Sequence, residues 1–389
     1  MLAALAALSL LTTECHSRQG YEGPPPRQRP AEASVPVQAP PFVPADLTLT
    51  NTLDRAAMGF AGRAPAWSLA VARPGRGLWS QTIGAEPGAR FHAASIGKSM
   101  TAAVILQLVE EGRLTLDDTL DTWLADLPNA ALVTIDHLLS NRSGYFLQRE
   151  EPQGPTSGDD ITPEATFKRL HSGGVLFCPG TNWAYSNVGY MLLGRIIEMV
   201  DGQSFEAALT HRLLEPLGLR DTLVLTPETA DPRLVDGHDG GAPVDGPRPG
   251  QGFAAAPVAT TAEDLVRWWR ALLTGEVVSA QTLDLMTRRS WPLFGSETLS
   301  YGRGMQIAHF NDGPGPMIMH SGGIDGFSAT VAWLPAHNSF AAVLVNDRSV
   351  PAEAALWALV RALPAAPPQS PAPRSRRSPG PPKRGIQIP

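Results

Sequence analysis

The periodicity of the chain changes twice along its length, and this pattern restricts the fold more than any other feature. Near the N-terminus, residues 67–71 and 78–83 have the pattern of two short strands joined by a turn rich in Arg, Pro and Gly. Helical patterns with capping residues follow. Four further strand patterns occupy the last third, at residues 304–309, 316–320, 328–333 and 340–345. The sequence therefore predicts a two-lobed α+β protein. Its N- and C-terminal strands form one antiparallel sheet flanked by helices, with a mostly helical lobe inserted between them.

Composition divides the chain into three parts. Residues 1–46 combine an apolar, signal-like start with a Pro-rich linker, and residues 47–363 have the composition of one folded domain. Residues 364–389 form a basic, Pro-rich tail that we expect to be disordered. The net charge of −6 gives no electrostatic reason to expect nucleic acid as a partner.

The first fifteen residues resemble a targeting segment. The apolar run from Leu2 to Leu11 is too short to span a bilayer but suits the core of a signal peptide. Cys15 partly resembles a lipoprotein attachment site, although Glu14 is a poor residue before a modified cysteine. We therefore predict export to the periplasm or cell envelope. Whether the segment is cleaved, or tethers the protein to a membrane through a lipid on Cys15, stays open.

The cysteine count allows at most one disulfide. Cys15 and Cys178 are the two cysteines of the chain, and no disulfide can form if Cys15 is removed or acylated. Cys178 precedes Pro179 and Gly180 and has no neighbouring metal-ligand pattern. We expect it to be a small buried residue and not a nucleophile.

A buried helix with a serine and a lysine in its first turn carries the first chemical signal. The run from Ser95 to Glu111 is apolar on nearly all faces and ends before Gly112, a favourable residue after a helix. Residues three apart share a helix face, so the Lys98 ammonium can reach the Ser95 hydroxyl. A helix N-terminus also favours negative charge on a developing alkoxide or oxyanion.

Lysine usage supports proton chemistry at this helix. Of the 31 basic residues, only Lys98, Lys168 and Lys383 are lysine. Arginine cannot be deprotonated in a protein, whereas a desolvated lysine can release or share its proton. A lysine predicted to be buried is therefore a candidate base for an otherwise weak serine nucleophile.

Three short motifs then occur in a characteristic order. They are Ser95-Ile96-Gly97-Lys98, Tyr185-Ser186-Asn187 and His320-Ser321-Gly322-Gly323. With these motifs the chain, from about residue 47 to residue 363, resembles the penicillin-recognising serine hydrolases. Within them it is similar to the branch that contains class C β-lactamases, serine DD-carboxypeptidases and related esterases. This resemblance implies the β-lactamase/transpeptidase-like fold.

The resemblance also implies roles for the first two motifs. Ser95 would be the acylated nucleophile, and Lys98 would remove and shuttle its proton. Tyr185 would be the partner base or proton relay, and a nearby cation such as Lys98 would favour its phenolate. Asn187 would offer its amide to the substrate or to Lys98.

The third motif would supply substrate-binding and oxyanion groups. His320 would end a strand, and Gly322 and Gly323 would let the backbone approach the substrate. By analogy with the family, the N–H groups of Ser95 and Gly323 would form the oxyanion hole. Ser321 either orients a substrate carboxylate or satisfies a turn.

The expected activity is acyl-enzyme hydrolysis without a metal or cofactor. The leading hypothesis is a DD-carboxypeptidase-like peptidase acting on D-Ala-D-Ala ends of cell-wall peptides. A class C-like β-lactamase, a short-chain carboxylic esterase and a non-catalytic penicillin-binding sensor are the alternatives. Small molecules or cell-wall peptides are thus the expected partners. Residues 144–162 and 225–252 are expected to set specificity, and the oligomeric state stays open.

Overall fold

The computed structural model describes residues 15, 17, 29–30, 35, 42–146, 163–171, 175–293, 296–310 and 315–363. The predicted signal core (2–11), most of the expected specificity loop 144–162 and the basic tail (364–389) lie outside these residues. The strands are β1 (Arg29–Pro30), β2 (Trp67–Arg73), β3 (Gly77–Ile83), β4 (Phe91–His92), β5 (Leu223–Val224), β6 (His238–Asp239), β7 (Ala242–Pro243), β8 (Val258–Thr260), β9 (Arg289–Pro292), β10 (Leu299–Tyr301), β11 (Gln306–Phe310), β12 (Gly315–Ile324), β13 (Phe327–Leu334) and β14 (Ser339–Val345). The helices are α1 (Leu47–Ala57), α2 (Lys98–Glu110), α3 (Asp121–Leu124), α4 (Ile135–Leu139), α5 (Pro163–Leu170), α6 (Asn187–Asp201), α7 (Phe205–Leu209), α8 (Glu215–Leu217), α9 (Ala262–Leu273), α10 (Ala280–Thr287) and α11 (Ala352–Ala362).

The main sheet joins the two ends of the chain. Within the described residues it has nine strands in the order β1-β9-β10-β11-β12-β13-β14-β2-β3, and every neighbouring pair is antiparallel. The β2–β3 hairpin docks on β14, with Trp67 opposite Val345 and Ala72 opposite Phe340. The predicted sheet of an N-terminal hairpin and a C-terminal meander, with helices inserted between them, is therefore confirmed.

Two hydrophobic layers cover the two faces of this sheet. Because side chains alternate along a strand, Leu69 and Val71 of β2 point to the layer of α1 and α11. Ala70 and Ala72 point instead to the larger core, which also contains α2, α6 and α9. Helix α2 lies inside this larger core, and all its residues from 98 to 106 are buried. The expectation of a buried helix after Ser95 is confirmed.

The sequence predicts a helix over residues 114–124, but only Asp121–Leu124 is helical. Asp118 accepts hydrogen bonds from the backbone N–H of Thr115 (2.8 Å) and from its hydroxyl (2.7 Å). Such local side-chain bonds compete with helical backbone pairing and favour a turn. Strands β8, β9 and β10 and helix α10 were also not predicted, since their short segments carry little periodicity.

Polar caps begin the helices around the site as the sequence indicates. The Thr134 hydroxyl accepts from the His137 N–H at the start of α4, and the Thr261 hydroxyl accepts from the Asp264 N–H at the start of α9. Ser186 caps α6 in the same way, accepting from the Gly189 N–H at 3.1 Å. This last cap fixes where α6 begins, at Asn187.

A disulfide joins Cys15 to Cys178, with the two Cα atoms 5.8 Å apart. The expectation that Cys178 is a small buried residue is therefore wrong: it is half-buried and paired. It lies in a surface turn in which the Thr181 hydroxyl donates to the Cys178 carbonyl. The bond fastens the N-terminal segment to the loop that leads to Tyr185. No helix in the described ranges combines the length and apolar character needed to cross a membrane.

Candidate active site

Ser95 lies on a single helical turn, residues 94–97, that runs directly into α2. The preceding Ala94 has φ of 48°, a left-handed conformation that is strained for a residue other than glycine. Gly97 makes this turn possible, because a Cβ there would lie 2.4 Å from Pro257 Cδ. Close packing on both sides of the turn therefore holds Ser95, which stays partly exposed.

Lys98 is fully buried behind Ser95. Its Nζ lies 2.9 Å from Ser95 Oγ, 2.7 Å from Asn187 Oδ1 and 2.8 Å from the carbonyl oxygen of Ala255. Burial lowers the pKa of Lys98 well below its ordinary value and favours the neutral amine. The oxygens of Asn187 and Ala255 only accept, so they take the two N–H bonds of that amine. Its lone pair is then directed at the Ser95 hydroxyl, which is the geometry of a general base.

Tyr185 completes the group around Ser95. Its hydroxyl hydrogen bonds to the Ser95 side chain, and Lys98 Nζ lies 5.0 Å from its ring centre. Burial raises the pKa of Tyr185 well above its ordinary range, and the hydrogen bond to Ser95 offsets this only in part. The structure thus favours a neutral phenol beside a neutral amine. The expectation of a phenolate stabilised by Lys98 does not agree with these shifts.

Asn141 holds the Tyr185 loop in place. It adopts a left-handed conformation with φ of 59° and is buried. Its side-chain oxygen accepts from the Ser186 N–H at 3.0 Å, and its backbone carbonyl accepts from the Ala184 N–H at 3.1 Å. The loop after α4, which carries Asn141, therefore positions the second motif.

The third motif lies where one edge of β12 becomes free. Strand β11 pairs with residues 315–319 of β12, whereas residues 320–324 pair with β13 alone. On the free side, the Ser321 N–H donates to Gln306 Oε1 at 3.2 Å. Residues two apart in a strand direct their N–H groups to the same side, so the Gly323 N–H also points away from β13. Gly323 is exposed there.

Gly322 brings this edge against the helical turn that carries Ser95. A Cβ on Gly322 would lie 2.3 Å from the carbonyl oxygen of Ala93 and 3.2 Å from Ala94 Cβ. Real Cβ atoms do not approach a backbone oxygen so closely, so only glycine fits. The contact sets the distance between β12 and the turn that carries Ser95.

His320 is fully buried and both of its ring nitrogens are engaged. Nδ1 lies 2.7 Å from the Ser321 carbonyl oxygen, which only accepts, so the proton is assigned to Nδ1. Nε2 lies 3.2 Å from the Tyr301 hydroxyl, which also donates to the Tyr190 hydroxyl at 3.3 Å. Burial, followed by repulsion from Lys98, lowers the pKa of His320 to about 3. The ring is therefore neutral and supports β12 from the interior, instead of meeting a substrate in the cleft as we expected.

The structure brings the predicted residues together in two groups. Direct contacts connect Ser95, Lys98, Tyr185 and Asn187, and the third-motif residues lie beside them on β12. Sequence reasoning missed the backbone carbonyl of Ala255, which has no sequence signal, and the side chain of Gln306, whose position depends on where β11 begins. Among the described residues, no three His, Cys, Asp or Glu side chains are grouped closely enough to hold a metal ion.

The chain is similar to proteins of known family and known structure. The family model described as Beta-lactamase matches residues 50–366. Penicillin-binding protein 4 of Amycolatopsis lactamdurans is 31% identical over 283 residues, which cover 66% of this chain and 72% of that protein. The D-alanyl-D-alanine-carboxypeptidase/endopeptidase AmpH of Escherichia coli K12 is 25% identical over 272 residues, covering 65% and 70%. The crystal structure of D-amino acid amidase from Ochrobactrum anthropi SV3, complexed with L-phenylalanine amide, superposes with a TM-score of 0.71 at 26% identity. It covers 81% of this chain and 98% of the amidase.

Proposed function

Because the chain belongs to the β-lactamase family and is a serine hydrolase, we propose that Ser95 forms an acyl-enzyme with peptides ending in D-Ala-D-Ala. The observation that carries the proposal is the set of contacts around Ser95 Oγ. Lys98 Nζ lies 2.9 Å away behind it, and the Tyr185 hydroxyl is hydrogen bonded to it. A nucleophile, a base and a proton donor are thus in mutual reach.

Acylation uses each of these groups once. Lys98 Nζ takes the proton of the Ser95 hydroxyl as Oγ bonds to the scissile carbonyl carbon. The N–H groups of Ser95 and Gly323 stabilise the resulting oxyanion. When the carbon–nitrogen bond breaks, the Tyr185 hydroxyl protonates the departing amine of D-alanine, and the proton held on Lys98 restores the phenol.

Deacylation repeats the steps with water in place of the serine hydroxyl. Water loses a proton to Lys98 and attacks the ester carbon, and the same N–H groups stabilise the second oxyanion. Breaking the ester bond returns a proton to Ser95 Oγ and releases a shortened peptide with a free carboxylate. The exposed Asn187, whose oxygen already orients Lys98, is next to this reaction path.

The free edge of β12 supports a peptide substrate. An extended peptide can pair with an open strand edge through backbone hydrogen bonds, and residues 320–324 offer such an edge. AmpH, which resembles this chain, is named as a D-alanyl-D-alanine carboxypeptidase, and the similar amidase is named for D-amino acids. Both names fit a substrate with D-configuration at the scissile bond.

The test compares wild type with Ser95→Ala on N,N′-diacetyl-Lys-D-Ala-D-Ala, by quantifying released D-alanine. Ser80→Ala, a surface serine on β3, is the matched control. We expect release by wild type and Ser80→Ala and none by Ser95→Ala. Intact mass after exposure to benzylpenicillin gives a second measurement, in which wild type and not Ser95→Ala gains one drug.

Three outcomes would redirect the proposal. Unchanged hydrolysis by Ser95→Ala would remove Ser95 as the nucleophile. Opened drug without a lasting adduct would favour a β-lactamase. Intact drug and intact peptide, with hydrolysis of simple esters, would favour an esterase.

We also propose that the protein is exported, with residues 47–363 as the hydrolase domain. The Cys15–Cys178 bond supports export, because disulfides persist in oxidising compartments. A Cys15 sulfur bonded to Cys178 has no valence for a lipid, so disulfide and lipid anchor exclude each other. The mass of the mature protein, measured with and without reduction, distinguishes the two.

A further inference from the structure

Tyr301, the last residue of β10, lies between the second and third motifs and is fully buried. Its ring meets the Tyr185 ring edge-on, with the ring centres 5.8 Å apart and the ring planes at 85°. Its hydroxyl lies 3.2 Å from Nε2 of His320 and donates to the Tyr190 hydroxyl at 3.3 Å. One side chain therefore contacts both the residue that hydrogen bonds to Ser95 and the residue that supports β12.

The backbone around Tyr301 is fixed by the sheet and by close packing. Tyr301 pairs with Trp291 of β9 on one side and with Gln306 of β11 on the other. The next residue, Gly302, has no room for a side chain, because a Cβ there would lie 2.1 Å from the Met286 carbonyl oxygen. The point from which the Tyr301 side chain starts is therefore set by the scaffold.

The hydroxyl of Tyr301 holds the far end of its ring. Besides its contacts with Tyr190 and His320, it interacts with the side chain of Asn141. Tyr190 is itself fixed, because its hydroxyl donates to the Leu139 carbonyl at 2.9 Å. Both ends of the Tyr301 side chain are thus tied to the interior, and its ring forms a fixed surface for Tyr185.

The position of the Tyr185 hydroxyl depends on what surrounds its ring. A tyrosine side chain turns about two torsions, so its packed neighbours decide where the hydroxyl lies. Lys98 Nζ lies 5.0 Å from the ring centre, and the Tyr301 ring packs against the same ring edge-on. Removing the Tyr301 ring would open space into which Tyr185 can turn, and its hydroxyl would then move away from Ser95 Oγ.

We propose that Tyr301 is a positioning residue, whose ring holds the Tyr185 hydroxyl at Ser95 Oγ so that Tyr185 can protonate the leaving group. The proposal rests on the proposed function, which makes Tyr185 the proton donor. As the bond from the carbonyl carbon to the leaving atom breaks, the Tyr185 hydroxyl gives its proton to that atom and regains one from Lys98. Because Tyr301 is fully buried, it acts through Tyr185 and does not meet the substrate.

The experiment measures how strongly the reaction depends on protonation of the leaving group. It compares the ethyl ester and the 4-nitrophenyl ester of N-acetylglycine. Ethoxide is a strong base and needs a proton to leave, whereas 4-nitrophenolate is a stable anion and leaves without one. The measurement is kcat/KM for the ethyl ester divided by kcat/KM for the nitrophenyl ester. This ratio does not depend on how much of the protein is folded, so it distinguishes a misplaced donor from a loss of folded enzyme.

The full chain is assayed as wild type and as single variants. We expect Tyr301→Leu, which lacks the ring, to lower the ratio by about 10- to 100-fold, since a misplaced proton donor loses much of its effect. Tyr301→Phe keeps the ring and should stay within about threefold of wild type. Tyr145→Leu is the matched control and keeps the wild-type ratio, because it removes another fully buried tyrosine, whose hydroxyl donates to the Pro128 carbonyl. If Tyr301→Leu does not fold, Tyr301→Met also removes the ring and fills more of its space.

A double-mutant cycle tests whether Tyr301 acts through Tyr185. Tyr185→Phe lacks the proton donor, so we expect it to lower the ratio at least as much as Tyr301→Leu does. Adding Tyr301→Leu to Tyr185→Phe then lowers the ratio no further, because the donor that would be misplaced is already absent. A wild-type ratio in Tyr301→Leu, or a further fall of about tenfold in the double variant, would overturn the proposal.

The ester pair also separates this proposal from the proposed function. If the ratio depends on Tyr301 through Tyr185 but wild type does not cleave acyl-D-Ala-D-Ala, the peptidase function fails and the positioning role stands. If the peptide is cleaved while Tyr301→Leu keeps the wild-type ratio, the positioning role alone fails.

Discussion

The two sides of the catalytic cleft differ in how their polar groups are satisfied. On the helical side, Lys98 is fully buried and its Nζ lies within hydrogen-bond distance of three oxygen atoms. On the sheet side, Gly323 is exposed, its N–H points to the open edge, and the Arg348 guanidinium lies next to it without a partner in the described chain. On the helical side the polar groups already have protein hydrogen-bond partners before a substrate binds. On the sheet side the substrate would supply the missing partners.

This difference predicts two kinds of mutational effect. Changing a group that is already satisfied in the interior removes the chemistry for every substrate, because such groups set the protonation and direction of the nucleophile. Changing a group whose hydrogen-bond partner is the substrate alters the relative kcat/KM values of different substrates. Gly322 and His320 of β12 belong to neither kind. Gly322 sets the distance between β12 and the turn that carries Ser95, and His320 supports β12 from the interior.

The largest expected effect is that of Lys98→Arg, which keeps a positive charge but cannot supply a neutral amine. We expect kcat/KM to fall by about 10³- to 10⁴-fold with every substrate, as for loss of a general base. Lys168→Arg, on the exposed side of α5, is the control and keeps full activity. More than a tenth of wild-type activity in Lys98→Arg would contradict the assignment of Lys98 as the base.

The same assignment sets the direction of the pH dependence. Because burial lowers the pKa of Lys98 and the reaction needs its neutral form, kcat/KM rises with pH as Lys98 loses its proton. Burial raises the pKa of Tyr185, so the proton donor stays available well into the alkaline range. A profile of kcat/KM against pH in wild type tests both directions, and an activity that falls between neutral and mildly alkaline pH would contradict them.

A smaller but still large effect is expected for Gly322→Ala. The added Cβ would lie 2.3 Å from the Ala93 carbonyl oxygen, so β12 or the turn before Ser95 must move. We expect kcat/KM to fall by about 10²- to 10³-fold, comparable to the loss of one oxyanion donor. Gly59→Ala, where a Cβ meets nothing within 4 Å, serves as the control. Activity within threefold of wild type would show that the close approach is not needed.

The helical side was more predictable from sequence than the sheet side, for physical reasons. The Ser95–Lys98 contact is local, because helical geometry alone brings residues three apart together. The caps at Thr134 and Thr261 are equally local. The sheet and its hairpin-plus-meander order also followed from periodicity.

The missed features depend on contacts between distant segments. The free edge at residues 320–324 exists because β11 begins at Gln306, which pairs with Met319, and no local pattern encodes that start. The burial of His320 depends on Tyr301, and the Cys15–Cys178 bond depends on the path of the N-terminal segment. These features come from packing between segments that are distant in sequence. Residue spacing and secondary-structure propensity are local and do not predict such contacts.

The smallest expected effect on activity, and a distinct one on stability, is that of His320→Gln. The glutamine amide keeps polar groups near Tyr301, so we expect kcat/KM to change by less than about tenfold. The folded pKa of His320 is about 3 and the unfolded value about 6.5. Below pH 6.5 the unfolded chain therefore binds a proton that the folded protein does not, and stability is lost as pH falls from 6.5 towards 3.

This linkage predicts a measurable difference between wild type and His320→Gln in how their unfolding free energies depend on pH. Between pH 7 and pH 4.5, wild type loses about 2 to 3 kcal/mol of unfolding free energy through His320, and His320→Gln does not. Opposite contributions, such as that of buried Asp264, whose pKa burial raises to about 6, are present in both proteins and cancel in the difference. Urea unfolding at the two pH values gives this difference, and exposed His211→Gln should behave as wild type. Equal acid sensitivity in wild type and His320→Gln would mean that the ring is not held neutral in the interior. His320 would then belong to the sheet side of the cleft, with the groups whose hydrogen-bond partners the substrate supplies.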